Sequence, residues 1–389
     1  MWRILITLFT LLICSNSFAN QVLLADTKFE SYLPLLQNKH VAIFTNNASQ
    51  INGKNIINVL IDKNVQITKI FTPEHGLDVS ADAGDKVANS TYHNIPVVSL
   101  YGKKTAPSKQ DLESIDVVIY DVQDVGVRYY TYTSSLQRLM EATLSNNTPL
   151  IILDRPNPNA SYIDGPVLEK KYKSFVGLQP VPIVYGMTIG EYAKMLLGEN
   201  WLDVKLKRPQ KKLLTVITMD NYTHDTVYTP EAKPSPNLPN LTAIYWYPSL
   251  GWFEGTKLSV GRGTSMQFQV LGAPQYESIS SFNFTPVAMS GAMNPPLKNQ
   301  VCYGWDLRMS AESAEQKINK QIDLNLLINT YNEYPNKDKF FTSFFDKLAG
   351  TDKLRKQIID AKSEQEIRAS WKNDLDKFKI IRKKYLIYP

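Results

Sequence analysis

The residues best equipped for chemistry sit just past the ends of short apolar runs. Pro73-Glu74-His75-Gly76 sets a carboxyl group beside an imidazole. Asp121-Val122-Gln123-Asp124-Val125-Gly126-Val127-Arg128-Tyr129-Tyr130 gathers two carboxylates, a guanidinium and two phenols. Asp154-Arg155-Pro156-Asn157 repeats the acid–base pairing, Asn46 follows the first run, and Glu254 and Arg262 lie in later loops. A set rich in carboxylates, amides, phenols and guanidinium groups suits a carbohydrate. Glycoside hydrolysis needs a proton donor for the leaving oxygen and a group that stabilises or traps positive charge at the anomeric carbon. Glu74 is the expected donor, with His75 orienting it or competing for its role. Asp121 and Asp124 are the candidates to assist the reaction centre. Asn46, Arg128, Tyr129, Asp154, Arg155, Asn157, Glu254 and Arg262 are the candidates to hold the substrate. Arg262 stands between two glycines, where a guanidinium on an approachable backbone can grip a carboxylate at two points.

Each assignment has a purely structural competitor. Pro-Glu-His-Gly is also a tight turn whose glutamate caps a backbone amide. Asp124 and Arg128 could form an internal ion pair, and Asp154 and Asn157 could serve only loop geometry. Other chemistries lack their signatures. A dinucleotide site needs glycines in the turn after the first strand, and here that turn is Thr45-Asn46-Asn47-Ala48-Ser49. There is no phosphate-binding loop and no Gly-x-Ser-x-Gly elbow. The four histidines share no metal-ligand spacing, so neither metal nor cofactor is expected.

Five elements must position these groups. VAIF (41–44), ITKIF (67–71), PVVSL (96–100), DVVIY (116–120) and PLIIL (149–153) are short β-branched runs separated by helix-length segments. They read as buried parallel strands, whose carboxyl ends collect ligands. Helices are expected over 55–63, 130–146 and 189–197, the last capped by Thr188. Prolines at 230, 234, 236, 239 and 248 predict an extended segment there. Beyond about residue 272 the pattern turns more polar, with helices expected over 311–329, 352–361 and 363–379. The fold class is α/β: a Rossmann-like doubly wound parallel sheet over 20–271, with a second, smaller α+β domain over 272–389.

With 389 residues, 43% apolar, the chain can bury a large core. Arg3, the apolar stretch Ile4 to Ile13 and Ser17-Phe18-Ala19 form a secretory leader over 1–19, too short to span a bilayer. Bulky Ile13 before Cys14 argues against lipid attachment, so a periplasmic or secreted protein is expected. Cleavage would leave Cys302 as the single cysteine, read as a small buried hydrophobe rather than a nucleophile. The net charge of +6 is dispersed, and the densest basic group, 377–384, reads as the wet face of a last helix. Neither nucleic acid nor stable membrane insertion is expected.

Phe71-Thr72-Pro73-Glu74-His75-Gly76, the segment Asp121 to Arg128, Leu153-Asp154-Arg155-Pro156-Asn157-Pro158 and Phe253-Glu254-Gly255-Thr256 together resemble the NamZ-type exo-β-N-acetylmuramidases, long catalogued as a domain of unknown function. The likeness continues through Leu348-Ala349-Gly350-Thr351 and Glu366-Ile367-Arg368-Ala369-Ser370-Trp371. It implies a Rossmann-like catalytic domain, a smaller C-terminal domain, and a cleft between them. It also implies release of N-acetylmuramic acid from the non-reducing end of peptidoglycan fragments such as muropeptides or MurNAc-GlcNAc, with Glu74 as general acid and no cofactor. The lactyl carboxylate of muramic acid would be bound by Arg128, Arg155 or Arg262. Attack by the substrate's own acetamido oxygen, by a protein nucleophile or by water all stay open. The rival from another class is a non-catalytic periplasmic sugar-binding protein, in which Glu74 only accepts hydroxyl hydrogen bonds.

Overall fold

The computed structural model describes residues 21–85 and 88–389. The leader expected over 1–19 lies outside the described residues. Six parallel strands, β1 (Val41–Phe44), β2 (Ile67–Thr72), β3 (Ile95–Ser99), β4 (Val117–Tyr120), β5 (Leu150–Leu153) and β6 (Leu214–Ile217), stand in the order β3-β2-β1-β4-β5-β6. A short antiparallel strand, Ser90–Tyr92, edges β3. This is the Rossmann order, in which the chain reverses its winding between β1 and β4, opening a crevice at their carboxyl ends.

The side-chain period of a strand explains why the central runs β1, β4 and β5 are apolar almost throughout. Ala42, Phe44, Val118, Tyr120, Leu150 and Ile152 enter one core. Val41, Ile43, Val117, Ile119, Ile151 and Leu153 enter another on the opposite face. Both faces are covered, so no polar alternation survives. Strand β6 was not anticipated because it is only partly buried and follows the lysine-rich segment 205–212.

Helix α1 (Ile56–Asp62) starts at Asn55, whose side-chain oxygen accepts from Ile57 N–H. Helix α2 (Tyr132–Ser145) follows the polar constellation after β4, and α3 (Ile189–Gly198) opens with a reciprocal Thr188/Glu191 capping box. The proline-bearing segment departs from expectation. It is irregular to Asn240, then forms α4 (Leu241–Leu250), buried at every position and capped by Asn240. Pro248 lies in its last turn. Burial of Leu241, Ile244 and Trp246 outweighs the one hydrogen bond lost there.

The smaller C-terminal domain holds an antiparallel sheet of β7 (Val270–Ala273), β9 (Cys302–Asp306) and β8 (Asn283–Phe284), in that order. The helix expected over 311–329 is two, α5 (Ala311–Ile318) and α6 (Leu324–Glu333). Asn319 adopts a left-handed conformation between them and Asp323 caps the second. Then come α7 (Phe345–Ala349), α8 (Lys353–Ile359) and α9 (Glu364–Lys383). Helix α9 buries Ile367, Trp371, Leu375 and Phe378 on one stripe. No described helix is long and apolar enough to cross a membrane.

One core cluster runs from Phe44 through Trp246 to Trp371, so both halves share an interior. Arg128 ties them together. Its guanidinium donates to the carbonyls of Pro166, Val181, Leu348 and Ala349, each at 2.8 Å, the last two at the end of α7.

Candidate active site

Strand β2 delivers Pro73 and Glu74 to the carboxyl edge of the sheet, where the chain turns sharply. His75 and Gly76 both take positive φ, +70° and +72°. For a histidine this is a strained conformation, and such strain collects at functional sites. The turn is held by Gly76 N–H on the Pro73 carbonyl and by the His75 ring, whose Nδ1 lies 2.7 Å from the Ala81 carbonyl oxygen.

Glu74 and His75 line a cavity of about 280 Å³. That lies at the small end of ligand pockets, the size of one sugar residue rather than an oligosaccharide. Oε1 of Glu74 accepts from Gly84 N–H at 2.8 Å and Oε2 from the Thr131 hydroxyl at 2.7 Å. Tyr101, just past β3, stands beside it, and its phenol is pushed above its ordinary range by burial and then by the Glu74 charge. Burial likewise lowers the His75 pKa, against the opposing pull of Glu74.

The segment after β4 supplies another wall. Tyr129 donates to the carbonyls of Tyr247 and Pro248, and Tyr130 to that of Pro234, which fixes both rings. Tyr132 accepts from the Asn46 side-chain amide at 2.8 Å, so Asn46 acts through Tyr132 rather than on the cavity itself.

Arg262 and Glu254 come from the chain beyond α4. The Nε of Arg262 donates to Glu254 Oε1 at 2.6 Å, and the guanidinium lies over the Phe268 ring, 5.0 Å from its centroid. Its side chain is 12% exposed, yet Nη1 has no partner among the described residues. Gly261, at φ +82°, makes the loop feasible: a Cβ there would lie 2.7 Å from the Met266 carbonyl. An unpaired buried guanidinium donor beside a cavity is a site awaiting an anion.

Several expected site residues are elsewhere. Asp121 gives both oxygens to Arg155, which also binds Asp26 at 2.5 Å, and all three are buried. This triad pins the N-terminal segment to the sheet and holds Arg155 away from the cavity. Asp124 accepts from Gly126 N–H and from the Tyr185 hydroxyl, and burial raises its pKa to about 6. It does not meet Arg128, whose Nη1 and Nη2 donate to carbonyls. Asp154 accepts from Gly190 N–H at the start of α3 and from the Thr188 and Tyr388 hydroxyls. Asn157 bonds to the Met187 carbonyl and Asn159 N–H. None of Asp121, Asp124, Arg128, Asp154, Arg155 or Asn157 lines the cavity. Sequence reasoning missed Thr131 and Phe268. Thr131 had a signal, as the hydroxyl residue directly before α2. Phe268 had none. Among the described residues no three His, Cys, Asp or Glu side chains cluster as a metal requires.

Comparison with known proteins meets this geometry. Residues 41–242 match the model of the N-terminal part of exo-β-N-acetylmuramidase NamZ, and 245–388 match its C-terminal part. The chain belongs to the NamZ family. Peptidoglycan β-N-acetylmuramidase NamZ of Bacillus subtilis (strain 168) is 35% identical over 93% of this chain and 90% of its own. Two crystal structures of DUF1343 family proteins from Bacteroides fragilis NCTC 9343 share the fold. One is 43% identical with a TM-score of 0.84, the other 26% identical with a TM-score of 0.77, and each alignment covers 95% of this chain and 99% of the other. Glu74 and His75 fall in the N-terminal NamZ segment, Glu254 and Arg262 in the C-terminal one, so the cavity is completed by both.

Proposed function

We propose that this chain is an exported exo-β-N-acetylmuramidase that removes single N-acetylmuramic acid residues from the non-reducing end of peptidoglycan fragments. One observation carries the reading: a cavity for one sugar, with Glu74 on one wall, paired with no cation among the described residues, and an anion-seeking Arg262 on another. The family match and the bacillary relative support the same substrate class. The leader-like sequence over 1–19 supports a periplasmic or secreted setting, where such fragments occur.

In this reading Glu74 protonates the glycosidic oxygen as the bond to the anomeric carbon breaks. The carboxylate left behind is received by Gly84 N–H and the Thr131 hydroxyl, donors already in place. Most glycosidases place a second carboxylate across the bond. Here the other lining carboxylate, Glu254, is paired with Arg262, and the buried aspartates are outside the cavity. The acetamido oxygen of the substrate therefore takes the nucleophile's place, and water then opens the cyclic intermediate with Glu74 as base, giving net retention. Arg262 binds the lactyl carboxylate through its unspent donor.

Incubation with a defined MurNAc-β-1,4-GlcNAc disaccharide, followed by NMR, tests this. Free N-acetylmuramic acid appearing first as the β-anomer is expected. Binding without turnover would make the chain a sugar-binding module. Release of an α-anomer would overturn the neighbouring-group route.

A further inference from the structure

His75 has a ring nitrogen, Nε2, that the mechanism so far leaves unused. Its Nδ1 lies 2.7 Å from the Ala81 carbonyl oxygen, and a carbonyl can only accept. The neutral ring therefore carries its proton on Nδ1, and Nε2 presents an unprotonated lone pair. Among the described residues its one hydrogen-bond neighbour on that side is the Ser235 hydroxyl, at 3.4 Å, longer than a well-formed hydrogen bond. Ring and hydroxyl both belong to the cavity wall, next to Glu74.

We infer that Nε2 of His75 is the base that takes the acetamido N–H proton as the substrate's amide oxygen closes on the anomeric carbon. This rests on the neighbouring-group reading above. When the amide oxygen bonds to C1, positive charge builds on the amide, and its N–H proton needs an acceptor. Among the lining groups Glu254 is committed to Arg262, and Glu74 is at that moment giving its own proton away. His75 remains.

The balance closes. The oxygen–C1 bond forms as the C1–glycosidic oxygen bond breaks, and the Glu74 proton goes to the leaving oxygen. The N–H proton passes to Nε2, leaving a neutral oxazoline and an imidazolium. Water then adds to C1, giving one proton to the Glu74 carboxylate while the imidazolium returns the other to nitrogen as the ring opens.

The charged groups facing the imidazole fit this sequence. Burial pushes its pKa down, so the resting ring is neutral; Glu74 and Asp82 pull it up, and Arg262 pushes it down. A protonated Glu74 exerts no such pull. Once it has surrendered its proton, its new charge stabilises the imidazolium beside it, so the base strengthens as the reaction calls on it. The left-handed backbone at His75 adds a constraint: glycine would adopt φ +70° without strain, yet an imidazole stands there.

That same backbone supplies a clean test. His75→Gly keeps the turn and leaves a ring-sized hole. On an aryl β-N-acetylmuraminide we expect kcat to fall about a hundredfold or more, with KM within about threefold. Added imidazole should restore part of kcat, increasingly as pH rises through the pKa of imidazole. An unchanged kcat, a loss confined to KM, or a loss that imidazole does not restore would overturn the inference. Wild-type enzyme on the matching N-fluoroacetyl series separates it from the reading beneath. A rate that falls with fluorination upholds acetamido participation whatever His75 does. A rate indifferent to fluorination removes that participation and the inference with it.

Discussion

Removing the guanidinium at position 262 should change what the enzyme recognises more than whether it works. Nε of Arg262 is held by Glu254 at 2.6 Å, the guanidinium lies over Phe268, and Nη1 has no partner among the described residues. A lactyl carboxylate meeting that donor would form a buried, charge-assisted contact. Breaking such a pair costs about 2–5 kcal/mol, much of it the penalty of a stranded charge. Glu254 already neutralises part of the guanidinium, which favours the lower end, about 2–3 kcal/mol or roughly 30- to 150-fold. Arg262→Ala also strands Glu254, but that cost falls on any sugar in the cavity. The assay is competitive inhibition by free N-acetylmuramic acid and by N-acetylglucosamine, which lacks the lactyl group. The Ki ratio between them should collapse by the stated factor, and Arg262→Lys should retain only part of it. Equal weakening of both sugars would refute lactyl recognition by Arg262.

Three other outcomes follow from buried groups. Arg128→Met removes four bonds at 2.8 Å and takes the donor from the carbonyls of Pro166, Leu348 and Ala349, while that of Val181 keeps the Leu168 N–H. Urea unfolding should show a loss of at least about 4 kcal/mol, and a loss under about 1 kcal/mol would mean that Arg128 does not lock the two halves. Burial raises Asp154 to about 7 and Asp124 to about 6, so the folded protein binds protons more readily than the unfolded chain at these sites. Their contribution to stability is therefore full below about pH 4 and lost as pH climbs toward 7. Asp154→Asn should flatten the slope of unfolding free energy between those limits, whereas parallel curves for variant and parent would contradict the assignment. Cys302 is buried with its thiol pushed up to about 12; it should resist iodoacetamide until the protein is denatured, and rapid native labelling would exclude that burial.

How much of this was legible in the sequence depended on distance along the chain. Strands β1, β4 and β5 were readable because burial on both faces leaves an unbroken apolar run, β2 and β3 because the residues toward their carboxyl ends are buried and mostly apolar, and α3 because Thr188 and Glu191 cap it locally. Strand β6, only partly buried, left no such run. Glu74 and His75 were readable because Pro73 and Gly76 mark a corner at a strand end. The aspartates misled for the opposite reason. Asp121 and Asp124 have the residue types of a reaction centre, but what commits Asp121 is Arg155, shared with Asp26 far upstream, and what commits Asp124 is Tyr185. Partners that the fold brings together from separate segments cannot be read from local spacing. Arg262 was one of three equivalent arginines until the structure placed the other two outside the cavity.

The role of Glu74 is tested most directly by Glu74→Gln on two muraminides that differ only in leaving group. Loss of the general acid should slow cleavage of the MurNAc-GlcNAc disaccharide at least about a hundredfold. The first step on a 2,4-dinitrophenyl muraminide, whose leaving group needs no proton, should persist as a burst of dinitrophenolate. Disaccharide cleavage at the parent rate, or equal loss on both substrates with the fold intact, would contradict Glu74 as the proton donor.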